Sequence, residues 1–253
     1  MRYGAALDLR FSESITEFVS FLADLGLTHV ELRQGYLDTH PDAPTPRELR
    51  ELAAATDVTY TFHAPFRDAN LGNSNETLRR ATVRSVTRTL DTALAAEAGA
   101  VVVHGGSVPR RYPDRVRAHA RRQAVRSLRE CARHADDIGM HLCVENQRWK
   151  RARARYTETP ERLAAFLEEI DVDSDYLGVT VDAGHANVTG VDPAAFVDRF
   201  GDRIRVCHLH DNDGTADQHD ALPGYESVAE RIGAEYNVLE MKSLADIERC
   251  TAG

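Results

Sequence analysis

The sequence predicts a closed (β/α)8 barrel, and three observations carry that prediction. Apolar, β-rich runs alternate eight times with amphipathic helical stretches along the chain, which is the pattern of a parallel sheet. The length, 253 residues, matches the roughly 250 residues that such a barrel typically uses. No Pro/Gly/Ser-rich linker, low-complexity tract or fixed-period repeat divides the chain, so residues 1–253 read as one domain. An open, doubly wound sheet is the alternative. It would want a glycine-rich phosphate fingerprint after the first strand, and the GAALDLR segment starting at Gly4 is not one.

The elements follow in order. Residues 3–7 form the first strand. Residues 15–25 then place Ile15, Phe18, Val19, Leu22 and Leu25 on one helical face, with Ser12 expected as the N-cap. Residues 28–32 are the second strand, and 45–55 the second helix with Pro46 in its first turn. Residues 58–62 are the third strand, followed by a loop and a long helix over 76–98. Residues 100–103 form a short strand closed by His104, Gly105 and Gly106. The helix after it, 114–137, stops at Gly139 as a C-cap. Strand five is 141–144. Helix 160–170 is capped by Thr159, and strand six is 177–181. A short helix at 193–200, strand seven at 204–206, a helix at 225–232, strand eight at 236–239 and a closing helix at 243–250 complete the chain.

The formal net charge is −9, and Lys150 and Lys242 are the only lysines. An acidic, arginine-rich chain of this kind suits a salt-rich cytoplasm. It argues against nucleic acid, which favours basic faces, though high salt screens that argument. No apolar run reaches the ~18 residues of a membrane span, and the first residues lack an apolar signal core, so a cytoplasmic protein is expected. Cys131, Cys143, Cys207 and Cys250 show no paired spacing and read as reduced; Cys143 and Cys207 fall in strands as small buried hydrophobes.

In a (β/α)8 barrel, catalytic groups gather where the strands end at their C-terminal rim. Strand three ends at His63, strand four at His104 and strand five at Glu145. Strand six ends at Asp182 with His185 following, strand seven at His208 with Asp217 and His219 following, and strand eight at Glu240. One such residue is ordinarily a hydrogen-bonded structural histidine or an ion-pair partner. Six consecutive strands ending this way at one rim point to a metal centre, because zinc, manganese and iron take imidazole and carboxylate ligands. Alternation supports it: Val102 shares a face with His104, Cys143 with Glu145, and Thr180 with Asp182. The segment 206–224 is the densest, with His208, His210, Asp211, Asp213, Asp217, His219 and Asp220.

Seven segments resemble the xylose-isomerase-like barrels, the superfamily of sugar isomerases and epimerases and of endonuclease IV. They are FHAPFRDANLGN at 62–73, VVVHGG at 101–106, VENQ at 144–147, VDAGH at 181–185, HLHDNDG at 208–214, DQH at 217–219 and LEMK at 239–242. The endonuclease IV pattern implies three zinc ions. His63, His104 and Glu145 would hold the first; Glu145, Asp182, His208 and Glu240 the second; His185, Asp217 and His219 the third. The isomerase and epimerase pattern implies one divalent metal, zinc or manganese, on Glu145, Asp182, His208 and Glu240. Glu145 and Glu240 would then act as base and acid, and His185 and His210 would hold substrate. The chain departs from endonuclease IV after its first two strands. It lacks the histidine-led first loop, and Arg33, Gln34, Gly35 and Tyr36 only faintly echo the DNA-entry loop.

The segment RWKRARARY at 148–156, with four arginines and one lysine, follows Glu145 directly. Through Arg151, Arg153 and Arg155 it reads either as a solvated loop or as a grip on a phosphate, in DNA or in a sugar phosphate. The expectation is therefore a sugar or sugar-phosphate isomerase or epimerase with one to three metals and no membrane partner. An endonuclease IV-like phosphodiesterase acting on abasic DNA is the alternative. A purely structural metal is disfavoured, because such sites are often cysteine-rich and no cysteine holds a ligand position here.

Overall fold

The computed structural model describes residues 1–252. Eight parallel strands close on themselves: β1 (Arg2–Leu7), β2 (His29–Arg33), β3 (Thr59–His63), β4 (Val101–His104), β6 (Leu142–Glu145), β8 (Leu177–Asp182), β9 (Ile204–Leu209) and β10 (Tyr236–Leu239). Two short strands outside the barrel, β5 (Ser107–Pro109) and β7 (Arg153–Arg155), pair antiparallel. The barrel predicted from the strand–helix alternation is thus the fold, and the open-sheet alternative is excluded by the pairing of β1 with both β2 and β10.

The helices form where the periodicity places them, with local chemistry fixing their ends. In α1 (Ile15–Asp24) the cap is Ser14, not Ser12. The Glu17 amide donates to the Ser14 hydroxyl and the Ser14 amide donates to the Glu17 carboxylate at 2.8 Å, a reciprocal pairing that Ser12 is too far upstream to make. The short α2 (Gln34–Thr39) follows β2 directly, and α3 (Pro46–Thr56) has the same reciprocal cap at Thr45 and Glu48. The long helix α4 (Glu76–Ala95) stops earlier than the apolar pattern suggests, and Glu97 beyond it adopts φ 57°. Helix α5 (Asp114–Ile138) ends on Gly139 at φ 69°, and α6 (Pro160–Ile170) starts from Thr159. The remainder are α7 (Ala183–Thr189), α8 (Ala194–Phe200), α9 (Tyr225–Ile232) and α10 (Leu244–Thr251).

The apolar core lies mainly between strands and helices. A smaller cluster inside the barrel holds Ala6, Ala100, Val102, Cys143, Val206, Tyr236 and Val238. The four cysteines are buried and free. No helix among the described residues is long and apolar enough to cross a membrane. Alongside the small inner cluster the inward rows also carry polar side chains: His29, Glu31, Thr61, Thr180 and His208 are fully buried. These rows lead to the rim.

Candidate metal centre

Each inward row ends on a polar residue at the rim. Glu145 stands at the centre of one group: His104 Nε2 lies 2.9 Å from its carboxylate, His63 Nε2 3.3 Å and His185 Nδ1 2.9 Å. His185 is placed by its own turn. Asp182 caps α7, accepting the His185 amide at 2.7 Å, and its other carboxylate oxygen lies 3.2 Å from the His185 ring. A second group forms at Asp217, where His185, His210 and His219 lie 3.6, 3.7 and 3.5 Å away. The His210 and His219 rings stack with centroids 4.1 Å apart. Glu240 meets the second group at His219 Nδ1, 3.6 Å away, and also lies 3.2 Å from His208 Nδ1.

Of the nine rim residues taken from the sequence pattern, seven line one mouth, and Asp182 and His208, fully buried, belong to the same cluster. His210 stands closer to Asp182 than His208 does. Its Nε2 is 3.1 Å from the carboxylate, whereas the nearest His208 approach is 4.0 Å. His208 reaches down instead to Glu31, Nε2 to carboxylate at 3.0 Å. Gly184 makes the His210 position possible, because a Cβ there would lie 2.0 Å from the His210 ring. Of the three loop arginines, Arg153 and Arg155 line the mouth, while Arg151 is exposed and does not.

Three residues were not singled out from the sequence: Glu31, Asp8 and Arg33 as a contact of the site. Arg33 pairs with Glu240, and its other amino group lies 3.2 Å from Asp8, which also takes Arg10 at 2.6 Å. The signal was present. Gly4, Ala6 and Asp8 form one alternating row, and His29, Glu31 and Arg33 another.

The charges are set by these contacts. Burial pushes the Glu145 carboxyl up, but His104, His185 and His63 hold it well below the usual range. Burial likewise opposes Glu240, and Arg33 followed by His208 outweighs it. Burial lowers His208, yet Glu31 and Glu240 carry it up to about 10. For His185 the cost of burial is outweighed by Asp182 and it lies well above the ordinary imidazole value.

The residues fit a divalent cation. His210 Nδ1 and Asp217 Oδ1 are buried polar atoms without a hydrogen-bond partner, in an interior where such groups are normally satisfied. Five groups of three imidazole or carboxylate side chains converge closely enough to share an ion: His63–His104–Glu145, Glu145–Asp182–His185, His210–Asp217–His219, Asp182–His210–Glu240 and Glu31–His208–Glu240. Such ligands suit zinc or manganese. The mouth opens into a cavity of about 640 Å³, within the ~300–1,000 Å³ usual for small-molecule sites.

A parallel barrel with an imidazole–carboxylate cluster at its C-terminal rim defines a class of protein in which metal-site chemistry is grafted on a common scaffold. This chain belongs to the xylose isomerase-like TIM barrel family, whose profile matches residues 19–236. It is 32% identical over 224 residues to an uncharacterized protein of Methanocaldococcus jannaschii, covering 87% of this chain and 73% of that one. Among solved structures, it resembles a D-tagatose 3-epimerase-like protein with a TM-score of 0.81 and 28% identity, over 98% of this chain and 94% of the other. It also shares the fold of endonuclease IV from Thermus thermophilus, TM-score 0.72 and 23% identity, over 100% of this chain and 98% of that one.

Proposed function

We propose that this chain is a divalent-metal-dependent isomerase or epimerase of a sugar or sugar phosphate, acting by proton transfer next to a carbonyl. The observation that carries the reading is the pair Glu145 and Glu240. Both are buried, both are held ionised, and both line one cavity from strands on different sides of the barrel mouth. Glu145, Asp182, His208 and Glu240 would hold the ion, and we add His210 because of its closer approach to Asp182. Bound there, a divalent cation supplies a Lewis acid that polarises a carbonyl and takes up negative charge developing on oxygen.

The protein's own groups do the rest. In an isomerisation the carboxylate that takes the proton from carbon would return that same proton to the neighbouring carbon. In an epimerisation the second carboxylate, having taken a proton from solvent, would deliver it to the opposite face while the first keeps the one it abstracted. Such a base–acid pair contributes about 10²–10⁴-fold. Arg33 orients Glu240, and His185, fixed by Asp182, lines the cavity, where its ring would donate to a substrate oxygen.

One observation favours a second reading, zinc-dependent phosphodiester hydrolysis at abasic sites in DNA. His63, His104, Asp217 and His219 all reach the cluster, and a single-metal centre leaves them unused. Assay of the metal-loaded protein on a panel of ketoses, ketose phosphates and abasic-site DNA separates the two. The Glu240→Gln variant should stay folded and lose at least ~10²-fold in turnover of a sugar substrate. Cleavage of abasic DNA without action on any sugar, or wild-type turnover in that variant, would overturn the first reading.

A further inference from the structure

One wall of the cavity is built from the β5–β7 ribbon and the segment that leads into it, and the charges of the cavity do not balance. Seven cationic side chains line the cavity against four carboxylates. Arg33 and Arg10 are committed to Glu240 and Asp8, and Arg148 to Asp217. Among the described residues, Arg67, Lys150, Arg153 and Arg155 have no carboxylate partner; Arg67 lies over the Phe66 ring, 5.3 Å from its centroid, and the other three belong to the ribbon and the segment leading into it. Arg153 donates from Nε to the Ser107 hydroxyl at 2.9 Å and from a terminal nitrogen to the Ser107 carbonyl at 3.3 Å. Arg155 gives one terminal nitrogen to the Arg148 carbonyl at 3.1 Å. The Lys150 ammonium donates to no protein group among the described residues, though its carbonyl accepts from Arg110.

The ribbon carrying these cations is anchored from behind. Glu158, nearly buried, takes Arg110 at 2.8 Å on one oxygen, accepts the Arg155 amide at 3.3 Å on the same oxygen, and pairs with Arg162 on the other. Asn70 bridges the neighbouring loop, donating to the Ser107 carbonyl at 2.9 Å and accepting from the Ser107 amide at 3.0 Å and the Gly72 amide at 3.1 Å. Burial and the nearby Arg148 bring Arg155 down to about 10, and the same two influences lower Lys150. A scaffold that orients unpaired cations against one another inside a cavity is arranged for an anion that arrives with the ligand.

Resting on the sugar-directed reading above, we infer that Lys150, Arg153 and Arg155 form a subsite for a phosphate monoester, so that the substrate is a phosphorylated sugar. Its phosphate lies on the ribbon and its reacting carbons reach toward the carboxylate–imidazole cluster. Arg153 and Arg155 retain guanidinium nitrogens that can meet phosphate oxygens, and Lys150 adds a point charge. Arg151, exposed and outside the cavity, takes no part.

The test uses the purified, metal-loaded protein and three probes: inorganic phosphate, a ketopentose 5-phosphate, and the same ketopentose without phosphate. Calorimetry should show saturable phosphate binding whose Kd rises at least tenfold in Lys150→Ala and in Arg155→Ala and is unchanged in Arg151→Ser. Lys150 holds no hydrogen bond through its ammonium, so its variant keeps the test valid if Arg155→Ala loosens the ribbon. In turnover, Lys150→Ala should raise KM tenfold or more for the phosphorylated sugar, leave kcat within about twofold, and leave the unphosphorylated sugar unaffected. The expected phosphate binding without turnover of either sugar would support the subsite while removing the isomerase reading. Phosphate affinity equal in wild type and both variants would overturn the subsite. So would tight binding of an abasic oligonucleotide that inorganic phosphate does not displace and that falls with salt at a log–log slope of several times about −0.9, the signature of a polyanion backbone.

Discussion

Asp8 shows how far the organisation of the site reaches from the imidazole–carboxylate cluster. It touches no member of the histidine cluster, yet it is 2% exposed and receives both Arg10 and Arg33, and Arg33 in turn holds Glu240. Asp8→Asn keeps the shape and removes the charge, leaving Arg33 with one carboxylate in a buried place. Loss of a charged hydrogen-bond partner of this kind costs about 1–3 kcal/mol. The pH dependence has a definite sign. Burial raises the Asp8 carboxyl, but Arg10 and Arg33 bring it below its ordinary value, so its contribution is present above that ordinary value and is lost as pH falls through the lowered one. Urea unfolding of wild type and Asp8→Asn should therefore differ most near neutrality and converge in strong acid. A difference independent of pH would show that the charge does not matter.

At the scale of elements, the strands and long helices could be read because burial imposes a period on them. The rim residues on six strands could be read for the same reason: period two continues each inward row to its last residue. Depth could not. His208 and His210 both lie on the inward face, and alternation does not say which stands beside Asp182 and which drops to Glu31. That depends on how the staggered strands of a closed barrel line up. The β5–β7 ribbon escaped for another reason. Arg153, Ala154 and Arg155 carry no apolar alternation, so a segment that forms a strand reads as a charged loop. Helix α7 is too short for periodicity, although Gly184 within it is informative. Adding a Cβ there forces the His210 ring to move. Gly184→Ala should leave the far-ultraviolet circular dichroism unchanged and weaken divalent-metal affinity about tenfold or more, as displacement of a supporting contact does. Wild-type affinity in that variant would remove His210 from the ligand set.

For the whole molecule, the decisive feature is that one rim carries more potential ligands than one ion needs. The barrel brings His63 from β3, His104 from β4, Glu145 from β6, Asp182 from β8 and Glu240 from just past β10 to a common cluster, and the loop after β9 adds Asp217 and His219. A chain charged at −9 that still places seven cations in this cavity separates its surface from its site, with a basic pocket inside an acidic protein. We propose that the cluster is a metal centre of more than one ion. Elemental analysis of protein purified without chelator decides this, with the double variant Asp217→Asn/His219→Ala alongside. The wild type should carry more than one equivalent of divalent metal, and the double variant about one equivalent fewer, with the remainder held at Glu145, Asp182, His208 and Glu240. A single equivalent in both proteins, or none in either, would contradict a multinuclear centre.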